Sequence, residues 1–372
     1  CSSDLFLDYI IDSHCKNPGK IKPIIRNILR MSIYQMLFMD SVPDRAAVNE
    51  AGKLAATKKL TQLKGFVNGV LRSVQRDISS AGEASDYVEK ACSEAPAYVR
   101  YSLPEWMYDL IVKEYGCEKG EAFMAAALKA EKPLCVRTAS KRASQETIEK
   151  LLVQEGCMIA GSMEEDELPS ENRLLRLELG DTPLTELTAF KDGYIFIQDR
   201  GSFLAAEAAA EALKEKTDAG HPLIVDVCAA PGGKTTLAAE AFPGARVIAR
   251  DISPEKTALI RENAERLILS NIETEVRDAT EADPELKGKA DLVIADLPCS
   301  GIGTIGGKPD IRLRVKPEDV GSLAFLQRKI LANVQSFVNE GGILAYSTCT
   351  VTPDFLRFQV GVERELIGAV HV

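Results

Sequence analysis

The sequence predicts three folded parts: an all-α bundle, a small α+β unit, and an α/β domain with a doubly wound, mostly parallel sheet. A chain of 372 residues is too long for one ordinary domain. Apolar residues recur at the helical period from Leu5 to Ile78. After Pro222, strand-like apolar segments alternate with helical ones, as in parallel α/β sheets.

The N-terminal part is predicted to be helical throughout and is placed at residues 1–82. One stretch carries an apolar stripe at the helical period, formed by Ile21, Ile24, Ile25, Ile28, Leu29, Ile33, Met36 and Leu37. Pro43 suits the start of a helix, so the next helix is predicted over Ala46–Lys58, and another opens at Gly65. Helices joined by short connections predict a bundle.

The middle part, residues 92–200, is predicted to be a small α+β unit that follows a linker. The linker is placed at Ser79–Ser85 because these residues are small or polar. Helices are predicted at Glu105–Glu114, Gly120–Ala130 and Glu146–Glu155, and strands at Leu134–Arg137, Leu174–Leu179 and Tyr194–Gln198. The mixture of both element types distinguishes this part from the helical part before it.

The C-terminal part, residues 201–372, is predicted to alternate between strands and helices. Strands are predicted at Leu223–Val227, Arg246–Ala249, Glu275–Arg277, Ala290–Asp296 and Gly342–Ser347, and helices at Phe203–Lys214, Lys234–Ala241, Pro254–Ser270 and Val320–Val338. In such sheets a ligand binds beyond the carboxyl ends of the strands, where the strand order switches direction. We therefore look for the functional site at these strand ends.

The composition excludes several classes of protein. With 45% hydrophobic and 27% charged residues, the chain has the balance of a globular protein rather than a disordered one. No apolar run approaches the ~18 residues of a membrane span, so no membrane partner is expected. The nine cysteines are scattered and never spaced C-x-x-C, and the three histidines are not grouped. This pattern predicts a reducing cytoplasm and no metal site.

The charge is distributed unevenly along the chain. The whole sequence has a net charge of −10, yet residues 1–77 contain 12 Lys and Arg against 7 Asp and Glu, a net of +5. The remaining residues therefore carry −15. A basic front end can steer a polyanion to one part of the molecule. A merely solvated helical surface explains the same count, and charge alone leaves both interpretations open.

A glycine-containing loop follows the first strand of the C-terminal part, within the segment Asp226–Thr236. Two glycines allow the backbone to approach a ligand, and the next helix points its free N–H groups at it. The end of this loop resembles a phosphate-binding P-loop. That motif requires a glycine five residues before Gly233, where this chain has Cys228, so the P-loop interpretation is disfavoured.

Two acidic residues follow the next two strands. Asp251 lies where a Rossmann-type domain binds ribose hydroxyls, although it could instead cap the helix that begins near Pro254. Asp278 could accept a hydrogen bond from an adenine amino group. The segment Gly301–Gly306 matches the dinucleotide pattern G-x-G-x-x-G, but no helix follows it directly. It is therefore predicted to be a flexible loop beside the site.

Two cysteines at strand ends give the sharpest signal. Cys299 follows Asp296-Leu297-Pro298, and Cys349 follows Tyr346-Ser347-Thr348. A single cysteine is most simply a small buried residue, and this explanation is applied to the other seven. Two cysteines at neighbouring ligand-facing edges of one sheet point instead to chemistry.

Taken together, these motifs resemble the RNA cytosine-C5 methyltransferases, which have a Rossmann-like class I methyltransferase fold. The residues that carry the resemblance are Asp226–Thr235, Asp251, Asp278, Asp296–Ser300, Lys308–Arg312 and Ser347–Thr350. The resemblance implies S-adenosylmethionine as cofactor, bound by Cys228, Ala229, Ala230, Pro231, Gly232, Gly233, Lys234, Asp251, Asp278 and Asp296. It also implies that Cys349 is the nucleophile, that Cys299 assists product release, and that Asp296 contacts the cytosine edge.

A second resemblance covers the front end. The segments Ala46–Ala51 and Gly65–Arg72 look like the helical RNA-binding domain of the NusB family. This domain fused to the catalytic unit is similar to the bacterial branch that methylates cytosine 967 of 16S rRNA. The resemblance implies 16S rRNA as partner, naked or in an early assembly intermediate, a monomeric state, and an RRM-like fold for the middle unit.

The sequence departs from this family after the Thr-Cys motif, and its N-terminal helices also begin abruptly. The family usually follows the Thr-Cys motif with Glu-Glu-Asn, whereas here Thr352-Pro353-Asp354 runs into Phe355. Two other classes fit the sequence less well: a P-loop or NAD-type enzyme, disfavoured by the glycine patterns, and an RNA-binding factor whose catalytic half has decayed. Intact Cys349, Cys299 and Asp296 argue against the second.

Overall fold

A computed structural model describes residues 4–57, 60–128, 134–139, 141–162, 174–216, 220–351 and 366–367. The chain divides into two compact units. The N-terminal unit comprises Cys1–Ala130 and Ile305–Val315, and the C-terminal unit comprises Glu131–Thr304 and Lys316–Val372. Within the described residues, no helix is both long and apolar enough to cross a membrane.

The N-terminal unit is helical, as predicted. Its helices are α1 (Asp4–Ser13), α2 (Pro23–Phe38), α3 (Asp44–Thr57), α4 (Lys64–Ala81), α5 (Ala84–Glu94), α6 (Ala97–Arg100) and α7 (Glu105–Leu128). Most of the predicted stripe on α2 is buried against α1, α3 and α4, with Leu29 and Ile33 fully inaccessible. Ile24 is an exception, because it lies on the solvent side of α2. Burial of this stripe is the main source of stability for such a bundle.

Two predictions in this region differ from the structure. The predicted linker Ser79–Ser85 is mostly helical, because α4 continues to Ala81 and α5 begins at Ala84. Gly82, with a φ of 106°, makes the sharp change of direction between them. The two predicted helices after residue 105 form one helical stretch that breaks only at Gly116, where φ is 75°. In both places a left-handed glycine replaces the longer connection that composition suggested.

The first part of the C-terminal unit is a small antiparallel sheet with one main helix. It consists of β1 (Leu134–Thr138), α8 (Gln145–Gln154), β2 (Met158–Ser162), β3 (Leu174–Glu178), α9 (Thr188–Lys191) and β4 (Ile195–Ile197). The strand order is β2-β3-β1-β4, which confirms the RRM-like prediction. Strand β2 was not predicted. Its pairing with β3 shifts register between Ile159 and Gly161. The strand therefore lacks the regular alternation of apolar and polar residues by which a strand is predicted.

The second part of the C-terminal unit is a six-stranded parallel sheet. It is built from α10 (Arg200–Lys216), β5 (Leu223–Asp226), α11 (Gly233–Ala241), β6 (Arg246–Asp251), α12 (Pro254–Arg266), β7 (Ile272–Val276), β8 (Ala290–Asp296), α14 (Pro317–Val334), β9 (Val338–Ser347) and β10 (Leu366–Ile367). The short helix α13 (Ile311–Arg314) lies between β8 and α14 in sequence and is grouped with the N-terminal unit. The order β10-β9-β8-β5-β6-β7 confirms the doubly wound prediction.

Alternate residues of the parallel strands enter two separate cores. Val225 and Val293 pack on one face against α14, whereas Ile224 and Leu292 pack on the other against α10 and α11. This alternation explains why the strands are apolar in nearly every position. From β5, the chain adds β6 and β7 on one side of the sheet and β8 and β9 on the other, so the switch point lies between β5 and β8. The carboxyl ends of these two strands flank the crevice where such folds bind ligands.

A buried arginine connects the small sheet to α11. Arg137, on β1, is fully inaccessible and pairs with the carboxylate of Glu240. It also donates to Thr236 Oγ1 at 2.9 Å and to Gln198 Oε1 at 3.1 Å. A buried charge that lost these partners would be strongly destabilising. The small sheet therefore holds the helix that follows the glycine-containing loop.

We expect Gly193→Ala to destabilise the C-terminal unit much more than Gly156→Ala. Both glycines have a positive φ (72° and 84°), so both variants carry the cost of a left-handed alanine, about 1–2 kcal/mol. A Cβ at Gly193 would lie 1.9 Å from the backbone oxygen of Arg266, whereas nothing lies within 4 Å of one at Gly156. This clash should add roughly 1–3 kcal/mol or more to the loss of unfolding free energy in urea. Equal losses in the two variants would contradict the close approach.

Candidate active site

The predicted site residues lie at the carboxyl edge of the parallel sheet. Asp226 ends β5, Asp251 ends β6 and Asp296 ends β8. Asp296 pairs in register with Ser347, the last residue of β9. The loops that follow these strands therefore meet at the crevice between β5 and β8.

The glycine-containing loop turns sharply into α11. Gly232 has a φ of 107°, a conformation that favours glycine, and its N–H donates to Ala229 O at 2.7 Å. Helix α11 begins at the next residue, so its first N–H groups point out of the helix beside the loop. Below the loop, buried Asp226 accepts a hydrogen bond from Thr235 Oγ1 at 2.6 Å, and burial raises the pKa of Asp226 to about 7. Burial likewise raises the pKa of Cys228, to about 12.

Asp251 is a buried carboxylate beside this loop. Its Oδ2 accepts a hydrogen bond from the N–H of Ala230 at 3.3 Å, and its Oδ1 lies 3.6 Å from Lys256 Nζ. The alternative that Asp251 caps the next helix is wrong, because the N-cap of α12 is Ser253, whose hydroxyl accepts from the N–H of Lys256. Asp251 is thus free of the capping role that composition allowed.

Asp278 follows β7, the strand next to β6. Its Oδ1 accepts a hydrogen bond from the N–H of Thr280 at 2.8 Å, and the hydrogen bonds from Thr280 lower the pKa of Asp278. The N–H of Arg277, one residue earlier, donates to Asp251 O at 3.0 Å. The backbone therefore places Asp278 at the same sheet edge as Asp251.

The two predicted cysteines are in direct contact. Cys299 Sγ and Cys349 Sγ are 2.9 Å apart, and the N–H of Cys349 donates to Cys299 Sγ at 3.3 Å. The hydrogen bond from the Cys349 side chain lowers the pKa of Cys299 to about 7; burial opposes it, while the N–H groups of Gly301 and Cys349 add to it. This lowered pKa allows Cys299 to ionise near neutral pH, so Cys299 can act as a proton acceptor beside Cys349. Cys349 is exposed, so a substrate can reach it.

A set of polar contacts behind the cysteines fixes their loops. Ser300 Oγ and Thr350 Oγ1, one residue after each cysteine, are 2.7 Å apart. From α14, Gln327 donates to Pro298 O at 2.7 Å and accepts from the hydroxyl of Tyr346 at 2.9 Å. Ser300, Tyr346 and Thr350 lie within or beside the predicted cysteine motifs, but none of these contacts was predicted. The contact between Ser300 and Thr350 had a signal in the sequence, because each of these hydroxyl residues follows a cysteine directly. Nothing in the sequence of α14 indicates the contact of Gln327.

The loop after Cys299 also contacts Cys349. The N–H of Gly303 donates to Cys349 O at 3.1 Å, and a Cβ at Gly303 would lie 2.9 Å from that oxygen. A short 3-10 turn spans Ile302–Thr304, and Ile302 is buried. The predicted loop beside the site is present, and it is hydrogen-bonded to the Thr-Cys loop. Gly303 is required for this close approach to the Cys349 carbonyl, which gives the glycine a role other than dinucleotide binding.

Lys234 and Asp296 form an ion pair in this crevice. Lys234 Nζ lies 2.6 Å from Asp296 Oδ2 and 2.9 Å from Ser202 Oγ, and the Ser347 hydroxyl donates to Asp296 Oδ1 at 2.7 Å. Lys234 lies in the first turn of α11, so its backbone borders the glycine-containing loop while its ammonium group reaches Asp296 at the end of β8. Sequence reasoning grouped it with the loop alone.

Comparison with known proteins accounts for both halves of the chain. The 16S rRNA methyltransferase RsmB/F family matches residues 212–361, and the NusB family matches residues 2–76. A relative named probable ribosomal RNA small subunit methyltransferase B, from Bacillus subtilis (strain 168), is 34% identical over 349 residues, which cover 93% of this chain and 73% of the relative. The chain belongs to the RsmB/F family of 16S rRNA methyltransferases.

Solved structures support the same fold. The crystal structure of PH0851 superposes with a TM-score of 0.69 at 22% identity, covering 95% of this chain and 76% of that one. NSun6 from Pyrococcus horikoshii, solved with SFG, gives a TM-score of 0.55 at 21% identity, covering 68% of this chain and 84% of that one. The class I methyltransferase fold and the NusB domain predicted from the sequence are both confirmed.

Proposed function

We propose that this chain transfers a methyl group from S-adenosylmethionine to carbon 5 of a cytosine in 16S rRNA, cytosine 967, through a covalent adduct of Cys349 at carbon 6. The observation that carries the proposal is the contact between Cys299 and Cys349 at the ends of neighbouring loops. Membership of the family supports an rRNA substrate. The cysteine pair supports the choice of carbon 5.

The residues at the carboxyl edge of the sheet fit S-adenosylmethionine. The left-handed turn at Gly232 leads directly into α11, and the first N–H groups of a helix can hold carboxylate or ribose oxygens. The buried carboxylate of Asp251 suits ribose hydroxyls. Residues 228–234, Asp251, Asp278 and the main chain at Asp296 are proposed to hold the cofactor. When bound there, it supplies an electrophilic methyl group.

The cysteine pair divides the covalent chemistry into two steps. Carbon 5 of cytosine is too weak a nucleophile to be methylated unaided, so a thiolate must first add to carbon 6. Cys349 Sγ gives its proton to the Cys299 thiolate and forms the S–C6 bond, and the electron pair of the C5–C6 double bond moves onto carbon 5 and towards N3. Because Cys299 is already hydrogen-bonded to Cys349, this proton moves over a single contact.

The second step releases the product. Once carbon 5 carries the methyl group, Cys299, having lost its proton to water, takes the remaining proton from carbon 5. The C5–C6 double bond re-forms, the S–C6 bond breaks, and Cys349 leaves as a thiolate. The target base has to leave its stack to reach these thiols.

Lys234 and Asp296 are proposed to act on the cytosine edge. Addition at carbon 6 places negative charge on the N3 and O2 side of the ring, and an ammonium group in a partly buried site stabilises such charge. The side chain of Lys234 is 10% exposed, whereas that of Asp296 is 39% exposed. Asp296 can therefore accept a hydrogen bond from the exocyclic amino group while still oriented by Ser347 and Lys234.

Each part of the chain has a proposed role. Residues 1–82 are proposed to recognise rRNA, residues 92–200 to support substrate and cofactor binding, and residues 201–372 to carry out methyl transfer. We propose a cytoplasmic monomer that acts on 16S rRNA, either naked or early in subunit assembly.

Tritium transfer from S-adenosylmethionine to 16S rRNA tests the proposal, with nuclease digestion and nucleoside analysis of the product. Labelled 5-methylcytidine at cytosine 967 is the expected result. Label at another cytosine of rRNA or tRNA would support methylation at carbon 5 but assign a different target nucleotide. No transfer by the folded protein would favour a non-catalytic RNA-binding factor instead.

We expect Asp251→Ala to weaken S-adenosylmethionine binding by about 1–3 kcal/mol, the range for unpaired buried polar partners. The variant removes the proposed ribose acceptor and also the acceptor of the Ala230 N–H. Glu262→Ala is the matched control, because it removes an exposed carboxylate from the neighbouring helix α12. Calorimetric titration would measure both affinities. An Asp251→Ala affinity equal to that of the control would exclude Asp251 from the cofactor site.

A further inference from the structure

The contact between Cys299 and Cys349 also places the two sulfur atoms within reach of a covalent bond to each other. Their Sγ atoms are 2.9 Å apart. The sulfur atoms of a disulfide are about 2.05 Å apart, so a closure of roughly 1 Å would join the two side chains. Two cysteines placed in this way form a candidate site of oxidation, a chemistry that methyl transfer does not use.

Hydrogen bonds on both sides of the pair hold the sulfur atoms close together. One residue after each cysteine, Ser300 Oγ and Thr350 Oγ1 are 2.7 Å apart. Before the cysteines, the buried side chain of Gln327 donates to Pro298 O at 2.7 Å and accepts from the hydroxyl of Tyr346 at 2.9 Å. The two loops are therefore fixed in advance, so a bond between the thiols would need little further ordering of the chain.

The two thiols have complementary properties for oxidation. The hydrogen bond from the Cys349 side chain lowers the pKa of Cys299 to about 7, so a thiolate is accessible at Cys299 near neutral pH. Cys349 is exposed and lies against this sulfur, where a resolving thiol is needed. Cys228, in the glycine-containing loop, provides the contrast, because burial raises its pKa to about 12 and so keeps its thiol protonated.

We propose that Cys299 and Cys349 form a reversible oxidation site that reacts with a hydroperoxide, such as hydrogen peroxide, and closes to a disulfide. The disulfide would remove both the nucleophile and the proton acceptor, so methyl transfer would stop until a thiol reductant reopened the site. This effect on methyl transfer rests on the proposed function, whereas formation of the disulfide does not.

The oxidation proceeds in two steps. The Cys299 thiolate attacks one oxygen of hydrogen peroxide, the O–O bond breaks and hydroxide leaves, so that Cys299 becomes a sulfenic acid. Cys349 Sγ then attacks the sulfur of Cys299, the S–S bond forms, the S–O bond breaks, and the hydroxyl leaves with the Cys349 proton as water. Overall, two thiols and one hydrogen peroxide give one disulfide and two molecules of water.

Peptide mapping of the full chain tests the proposal. The reduced protein is treated with hydrogen peroxide under native conditions, capped with N-ethylmaleimide and digested with trypsin, which cleaves after Lys329 and so separates the two cysteines. A disulfide between the peptides that contain Cys299 and Cys349 is the expected product. At full conversion, methyl transfer to rRNA should fall by on the order of 10²-fold or more, and dithiothreitol should restore it.

Cys117→Ala is the matched control, because it removes another exposed cysteine and should leave formation of the disulfide unchanged. Cys349→Ala should form no linked peptide, and its Cys299 should proceed instead to sulfinic acid, which dithiothreitol does not reduce. The wild-type chain unfolded in urea loses the placement of its loops. There, the link between Cys299 and Cys349 should no longer be favoured over links among the other cysteines.

Two results would overturn the proposal: oxidation of both thiols to sulfinic acids without a linked peptide, and equal yields of the link from native and urea-unfolded chains. Native pairing of Cys299 with a different cysteine would also overturn it. The linked peptide is measured without turnover. A chain that forms the disulfide, yet makes no 5-methylcytidine when reduced, would therefore overturn the proposed function and leave the oxidation site standing.

Discussion

Cys349→Ala is expected to lower methyl transfer to rRNA by on the order of 10³-fold or more while leaving S-adenosylmethionine affinity nearly unchanged. The proposed nucleophile acts on the base, and the residues proposed to hold the cofactor lie in other loops, so the variant should remove the attack at carbon 6 alone. The structure supports this division, because Cys349 is the exposed member of the pair. Single-turnover tritium transfer and calorimetric cofactor titration, made on the same preparation, measure the two quantities.

Cys117→Ala is the control for this experiment. Cys117 is also an exposed cysteine, but it lies on α7 in the N-terminal unit and has no proposed role. Its variant should retain wild-type turnover. A Cys349→Ala enzyme within tenfold of wild type would remove the nucleophile assignment, and a parallel loss of cofactor affinity would show that the residue acts on folding of the site.

Cys299→Ala is expected to trap the covalent intermediate. Cys349 can still add to carbon 6, more slowly without its proton acceptor, but no thiolate remains beside it to take the proton from carbon 5. The variant should accumulate a protein–RNA complex that survives denaturing electrophoresis, and that carries the label when tritiated S-adenosylmethionine is present. Release of 5-methylcytidine should fall by on the order of 10²–10⁴-fold, the range for loss of a general base.

The double variant Cys299→Ala/Cys349→Ala separates the two roles. It should form no complex, since nothing remains to attack carbon 6. A trapped complex with Cys349→Ala instead of Cys299→Ala would exchange the roles and make Cys299 the nucleophile. The lowered pKa of Cys299, about 7, makes Cys299 the alternative candidate for the nucleophile. If neither single variant forms an adduct, covalent catalysis itself is wrong.

The sequence predicted most of the fold because the signals were local. The apolar stripe on α2 and the apolar runs of β5 and β8 repeat with the periods of a helix and a buried strand. Where an element lacked such a period, prediction failed: β2 has a glycine at its register shift, and α4 continues through the small polar residues Ser79 and Ser80. In both, contacts with neighbouring elements outweigh the local preference.

The candidate site was predictable where one loop carries its own pattern. Asp251 and Asp296 end strands and the two cysteines follow strands closely, so their position at the carboxyl edge follows from the strand order. The bond from Gln327 to Pro298 and the ion pair of Lys234 with Asp296 join residues 29 and 62 positions apart. No spacing rule in one sequence connects such residues. They become visible only when the chain is folded.

The close approach of Gly303 to Cys349 joins the loop that contains Cys299 and the loop that contains Cys349 into one structural unit. The hydrogen bond between Ser300 and Thr350 joins the same two loops one residue after each cysteine. At position 303, any side chain larger than hydrogen would displace the Cys349 carbonyl. A design that transfers the loop containing Cys349 to another methyltransferase scaffold therefore has to transfer the loop containing Pro298 and Cys299 as well. Substitutions that change substrate specificity are accordingly expected in segments outside these two loops.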